Sequence, residues 1–495
     1  MNRSQKDPGF GSRNKKPTPT KTPTYYSHPE VDRILVSLYP DENERQAIQV
    51  VLKSIVSKQH YKAARRDSDD YVDPESVMEH CWIPAENFAH LLTRTGYKIT
   101  MDWLVEHQIL DESSFTSALA RHPTYRLRKR EWLRGYRHIP VTSHKVLKRI
   151  ETYGNYRLRH FPTIEQIVIP HIIENFHSID LDHAGFMRLW QWRYRTKYEP
   201  KMRQQAAQNP RKRVLTWWEY MQRGEEIWLS IKAWNDASDT EKLQWFSTCS
   251  FGHRLHHPFT YWPSEIRAYI LDRRGEPLSL IEMDLANSQP FIYANTILKS
   301  RPELSKAANR ERYCRLKKSE FVKQVEAHTI YEDVARRLGI TRDEAKVETL
   351  HWMYSMADSK AQALFEKHYG EVGVEARRIK SEVTDADGNL LRFLSRHKQL
   401  PKMMQRAESA MFKEIWVELI KQGHVVLPVH DAVYCANVKT KTKQQEIRTI
   451  FKKGVKKHMR LWHHIREEVM DRCVEIDMFP ELYLSTVECI TIHSY

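Results

Sequence analysis

The sequence predicts an α+β fold in which a mostly helical N-terminal region precedes a sheet split by a long helical insertion. Two observations predict it. From about residue 29 to about 245, apolar residues recur at three- and four-residue spacing, as on helices with one buried face. From about 246 onward, two short apolar runs, SLIEMDL and HVVLPVHDAVYCA, read as strands, with a helix-rich block of roughly 135 residues between them.

Composition narrows the class. The 495 residues suffice for several domains, and 41% hydrophobic residues mark a globular chain. A formal net charge of +16 predicts an acidic partner, nucleic acid first and an anionic membrane surface second. The six cysteines, Cys81, Cys249, Cys314, Cys435, Cys473 and Cys489, form no C-x-x-C pair. That excludes a disulfide framework and a zinc ribbon, and suits a reducing, cytoplasmic compartment. No run of 18 apolar residues predicts a membrane span, and the N-terminus lacks the apolar stretch of a signal peptide.

Residues 1–28 are rich in Pro, Thr, Lys and Arg and predict a disordered basic tail. Helical spacing then runs through EVDRILVSLYPDENERQAIQVVLKSIVSKQ, with a break at Pro40, and through PAENFAHLLTRTG and TMDWLVEHQIL. Residues 121–161 interleave cations, among them Arg128, Lys129 and Arg130, with Tyr125, Trp132, Tyr136, Tyr153 and Tyr156. Their only acids are Glu131 and Glu151. Cations neutralise phosphates and aromatic faces stack on bases, so this stretch predicts nucleic-acid contact over a plain solvated helix face. IDLDHAGF, at 179–186, reads as a helix start rather than as part of a proofreading exonuclease.

Asp284 stands near the end of the first strand, before the polar corner Asn287-Ser288-Gln289-Pro290. Asp431 stands at the His-Asp turn of the second run, which reads as a β-hairpin following the helix QRAESAMFKEIWVELIKQG. Each aspartate alone fits a turn. Side by side in one sheet, the two would suit a pair of Mg²⁺ ions, which need few carboxylates when a triphosphate supplies the other oxygens. Between them, TRDEAKVETLHWMYSM predicts a helix capped by Thr341 and Glu344. On it Arg342, Lys346, Leu350 and Tyr354 form a stripe drifting by about 40° per step.

Together these segments resemble the motifs of the family A DNA polymerases and the related phage-type single-subunit RNA polymerases. R-x3-K-x7-Y at Arg342, Lys346 and Tyr354 resembles motif B. The strand with Asp284 resembles motif A, and Val429-His430-Asp431 resembles motif C. STCSFGHRLHH resembles the segment with the family's Thr-Gly-Arg motif, with Arg254 as the matching arginine, displaced by His253. Arg267 resembles the arginine shortly before motif A, and Gln405 a duplex-contacting glutamine. The resemblance covers roughly residues 246–460.

It implies a right-hand fold. The palm would span 246–300 and 401–495, and the fingers 301–400. Residues 29–245 would be a helical, thumb-like nucleic-acid-binding region. It implies Asp284 and Asp431 as ligands of two Mg²⁺ ions, with Mn²⁺ as a substitute, assisted by the Leu285 carbonyl. Arg342 and Lys346 would hold the triphosphate, with Lys346 an acid for the leaving pyrophosphate. Tyr354 would pack on the sugar, and His430 would touch the primer end. Partners would be template, primer and nucleoside triphosphates, without a membrane.

Three positions depart from the pattern. Ser355 replaces a glycine, and Ala432 replaces the glutamate that follows the motif C aspartate in the DNA enzymes. Gln289 replaces the residue that crowds the sugar 2′ position, and its bulk predicts deoxynucleotides. The expected activity is DNA-directed DNA synthesis without proofreading, as in a mobile element. Two alternatives are a phage-type RNA polymerase or primase-like enzyme, and an inactive nucleic-acid-binding palm.

Overall fold

Helices begin where the sequence supplies an acceptor for the free amides of a first turn. The break at Pro40 is of this kind. One helix spans Pro29–Leu38, and the next, α1, spans Glu42–Ala64. Between them Asp41 accepts from the amides of Asn43 (2.6 Å) and Glu44 (3.2 Å). Helix α2, Trp217–Asp236, starts in a capping box of Thr216 and Glu219. Helix α3, Arg342–Tyr354, starts in the expected box of Thr341 and Glu344. The computed structural model describes residues 23–64, 81–82, 89–92, 94–113, 124–129, 132, 136–208, 214–299, 301, 303–382, 396, 398–430, 432–438, 440–459, 461 and 465–470.

The protein is α+β, with most described residues in helices. Its buried apolar side chains fall into two clusters, one from Tyr26 to Ile150 and a larger one from Val168 to Leu461. Helix α1 joins them by packing on α2. At the seam Lys53 Nζ meets Glu241 at 2.6 Å, with both side chains under a tenth exposed.

The first body contains strands as well as helices. The end of the expected basic tail is one of them: Thr24–Ser27 pairs antiparallel with Arg137–Pro140. Tyr26 anchors it, fully buried, stacked on Tyr136 and donating to the Trp132 carbonyl at 3.0 Å. The helical reading of TMDWLVEHQIL stops short as well. That helix ends at Glu106, and Leu110–Ser113 is a strand paired with Thr124–Leu127. The stop is a Schellman closure: Ile109 N–H bonds Leu104 O (2.9 Å) and Gln108 N–H bonds Val105 O (3.0 Å). Gln108 takes the left-handed conformation there, at φ +59°, where glycine would have flagged the stop in the sequence.

A four-stranded antiparallel sheet organises the second body. Its strands are β1 (Leu280–Leu285), β2 (Val426–Val429), β3 (Ala432–Ala436) and β4 (Ile465–Met470), in the spatial order β2-β3-β1-β4. Residues alternate faces along β1. Ile281 and Met283, with Cys435 from β3, meet Val438 and Ile447, closing the back of the sheet. Glu282 and Asp284 stand on the opposite face. Helices α4 (Gln399–Lys421) and α5 (Lys441–His458) pack against each other. A Cβ on Gly454 of α5 would come within 2.3 Å of Ile415 Cγ1 of α4, so this close approach needs a glycine.

Candidate active site

The site begins with the register of β1. Asp284 lies opposite Ala432 of β3 on one side and Arg466 of β4 on the other. Ala432 in turn pairs with Val429, so β2 and β3 form the expected hairpin around a two-residue connection at 430–431. His430 takes a positive φ of +48°, as a tight hairpin turn requires. Asp431, the second proposed metal ligand, lies outside the described residues.

The corner after β1 has a geometric purpose. Asn287 takes a left-handed conformation (φ +53°), which asparagine tolerates better than most residues. Its side chain donates to the His328 carbonyl at 3.2 Å. The chain then enters the helix Ser288–Ile297, with Pro290 in the first turn, where a missing amide costs no hydrogen bond.

This turn carries Gln289 into a part-buried polar network. Its Nε2 donates to Glu408 Oε1 at 2.8 Å, and its Oε1 accepts from the Tyr354 hydroxyl. Glu408, on α4, is wholly buried, and its other oxygen pairs with the Arg254 guanidinium. Arg254, Gln289, Tyr354 and Glu408 therefore form one chain of bonds across four separate elements. Burying a carboxylate is costly unless it is paired and hydrogen-bonded, and here Glu408 is both.

The short hairpin that carries Arg254 pairs Ser247–Thr248 with Leu255–His256 and is clamped to α4. The Ser409 hydroxyl donates to the His253 carbonyl at 2.8 Å. A Cβ on Gly252 would come within 2.5 Å of Gln405 Oε1, so Gln405 packs directly on this loop.

Arg267 lies beneath the sheet face, 8% exposed. It donates to the Tyr434 hydroxyl and to the Phe259 carbonyl, and its guanidinium lies 4.6 Å from the Tyr434 ring centre. Tyr434 is the cross-strand neighbour of Glu282. Burial raises the Tyr434 phenol well above its usual range, and Glu282 and Asp284 add to the rise. Burial, with Arg254 and Arg267 nearby, lowers the His430 imidazole to about 4. His257, whose Nε2 is 2.7 Å from the Pro428 carbonyl oxygen, is pushed by burial to about 3. Both rings are therefore neutral at pH 7.

Arg342 and Lys346 are exposed on the first turns of α3. The Arg342 guanidinium reaches Glu332 at 2.6 Å and lies 5.6 Å from the Tyr331 ring. The Tyr331 phenol is pushed to about 12, first by burial; Arg342 opposes the rise, and Glu332 and Asp284 add to it. Tyr331 thus lies within electrostatic reach of both the strand carboxylate and the helix cation.

Of the residues singled out in the sequence, the structure links Arg254, Gln289 and Tyr354, with Gln405 against the Gly252 loop and His430 within electrostatic reach of Arg254. Arg267 is near both His430 and the Asp284 face. Leu285 points its side chain into the core, 1% exposed. Arg128 and Lys129 lie apart, in the first body. Acids distant in sequence fold onto this basic stretch: Lys129 pairs with Glu30, and Arg126 meets Asp111 at 3.2 Å. Arg128 is 3.9 Å from Asp111, and Arg130 lies outside the described residues.

Sequence reasoning passed over Glu408, Tyr434, Glu282 and Tyr331. Only Glu408 left a signal, an acid one turn after Gln405 among otherwise apolar positions. Among the described residues, no group of three or more His, Cys, Asp or Glu side chains is placed to hold a metal ion. Also among the described residues, no helix is long and apolar enough to cross a membrane. No family model matches the chain, and no curated protein matches it.

Proposed function

We propose that this chain is a template-directed nucleotidyltransferase, a DNA polymerase without proofreading that resembles family A. In this reading the four-stranded sheet is the palm, the helices around α3 are the fingers, and residues 29–245 are the thumb-like region. The observation that carries it is the bond from Tyr354 to Gln289. It ties the end of the Arg342–Lys346 helix to the corner five residues past Asp284. Two segments 65 positions apart in the sequence are thereby joined beside the strand that carries Asp284.

The donors suit magnesium. Asp284 offers hard carboxylate oxygens, with Oδ1 shielded from solvent, and Mg²⁺ needs few protein ligands when phosphate oxygens complete its shell. Asp284 and Asp431 would hold two such ions, which when bound would neutralise charge on the reacting phosphates.

The chain's own residues do the rest. The exposed Arg342–Glu332 pair is worth only about 0–1 kcal/mol, so a triphosphate can take over the guanidinium. Lys346, one turn on, grips the same phosphates and gives a proton to the departing pyrophosphate. The primer 3′-hydroxyl loses its proton to water as its oxygen bonds the α-phosphorus, and the bond from the α-phosphorus to the oxygen bridging the β-phosphate breaks, releasing pyrophosphate. Tyr354 and Gln289, locked by Glu408, wall the sugar. His430, neutral, lies at the primer end without adding charge.

The test is incorporation on primed and unprimed templates with dNTPs or rNTPs and Mg²⁺. Primer extension with dNTPs supports the proposal, and Asp284→Ala should abolish it while nucleic-acid binding persists. Unprimed RNA products would point to a phage-type RNA polymerase instead. No incorporation by the folded wild-type protein, or near-normal synthesis by Asp284→Ala, would refute it.

A further inference from the structure

Away from the sheet, an aromatic tower rises through the helical layer of the second body. Trp190 stacks on Tyr220 with centroids 4.6 Å apart, Tyr220 meets Tyr194 at 5.1 Å, and Tyr194 meets Trp217 edge-on at 5.0 Å. Trp190, Tyr194 and Tyr220 are buried, so the outer rings stand on a rigid base. The Leu215 amide donates to the Tyr198 hydroxyl at 3.0 Å, fixing the approach to Trp217. At the top, Trp217 is 36% exposed and its neighbour Trp218 is 69% exposed.

The ring faces are dressed with cations. The Arg195 guanidinium lies 5.8 Å from the Trp217 ring centre, and the Lys197 ammonium lies 5.1 Å from that of Trp192. Both cations come from Tyr194–Tyr198, one turn of wide π-helix, a form that frequently marks functional sites. From Tyr194 to Arg203 the chain carries Arg195, Lys197, Lys201 and Arg203 against one acid, Glu199. All four cations are exposed. A single exposed tryptophan would mean nothing. Two adjacent ones, Trp217 standing on that base, lie beside exposed cations, of which Lys197 pairs with Glu265 and Arg203 with Glu199, and this pattern is complementary to unpaired bases on a phosphate backbone.

We propose that Trp217, Trp218 and Arg195 form a stacking platform for a single-stranded polynucleotide. The bases stack on the indoles, and Arg195 and its neighbours take the phosphates. The platform is also coupled to the sheet face. Arg193 and Lys197 both pair with Glu265, on the 3₁₀ turn Ser264–Tyr269 that carries Arg267 two residues later. The binding step requires no joining of nucleotides, so it stands apart from the reaction proposed for the sheet.

Fluorescence anisotropy with labelled oligo-dT and oligo-rU of about 20 nucleotides tests it on the full chain, without triphosphates. Trp218→Ala removes an exposed ring and should leave the circular dichroism unchanged. It should weaken single-strand binding about 5- to 150-fold, since one stacked base is worth about 1–3 kcal/mol. Binding of a blunt duplex, whose bases are not free to stack, should stay within twofold. Arg195→Gln should lower the salt slope by about 0.7, the value for one single-strand phosphate contact. A single-strand affinity within twofold of wild type for folded Trp218→Ala would overturn the platform and leave the ridge to a protein partner. Equal losses on single strands and duplex would overturn it too. Sensitivity of oligo-dT alone, oligo-rU alone or both supports it and tells the strand type. Asp284→Ala run in parallel should bind like wild type, so the outcome does not depend on activity at the sheet.

Discussion

Replacing Arg254 by methionine isolates the buried link that holds the candidate site together. The substitution leaves Glu408 wholly buried, with Gln289 as its remaining partner in the network described above. Removing one partner of a buried pair costs about 3–5 kcal/mol, because an uncompensated charge is left behind. Arg254 is 21% exposed at its side chain, so water can partly replace it, and the expected loss falls to about 2–3 kcal/mol. Glu408→Gln removes the charge but keeps an oxygen for Gln289. In the double variant no buried anion remains, and about 2 kcal/mol should return as a coupling energy. Urea unfolding of the four proteins, followed by tryptophan fluorescence, measures the cycle. If Arg254→Met loses less than about 0.5 kcal/mol, or if the two single losses simply add, Glu408 is not a buried anion held by Arg254.

Three other predictions follow from particular contacts. Lys380 is 1% exposed, and burial pushes its amine down to about 7, below the usual lysine value of 10.5. Between those two values the unfolded chain holds a proton that the native protein lacks. Stability should therefore rise with pH across pH 7 to 10.5, by at most about 1.4 kcal/mol per unit, and Lys380→Met should flatten that slope in urea titrations. Gly454→Ala drives a methyl into Ile415 and should cost about 1–3 kcal/mol, with relief from Ile415→Ala in the same protein. Gln289→Ala empties the space beside Tyr354. It should raise ribonucleotide incorporation relative to deoxynucleotide at least about 10-fold, the effect of about 1.4 kcal/mol in competing single-turnover assays. An unchanged ratio would remove Gln289 from sugar selection.

Local signals in the sequence were enough for the elements that carry the candidate site. A short apolar run marked Leu280–Leu285, the Thr341–Glu344 box marked the start of α3, and the His-Asp turn marked the hairpin of Val426–Val429 and Ala432–Ala436. Each signal acts over a few residues, so a linear reading can find it. The strand at Thr24–Ser27 and the early stop at Glu106 escaped that reading. Pairing with Arg137–Pro140 creates the first, and the second uses Gln108 where glycine would have been visible.

Charge shows the same divide. The sequence determined that residues 121–161 are basic, but only folding brought Glu30 and Asp111 onto them. It determined that Asp284 ends a strand and that Arg342, Lys346 and Tyr354 share a helix stripe. Only the tertiary structure decided that Gln289, Tyr354, Arg254 and Glu408 bond in one network, although Gln289 and Glu408 are 119 positions apart in the chain. The physical reason is that spacing along the chain fixes which face a side chain occupies. What neutralises a buried charge is fixed by whichever distant element packs against that face.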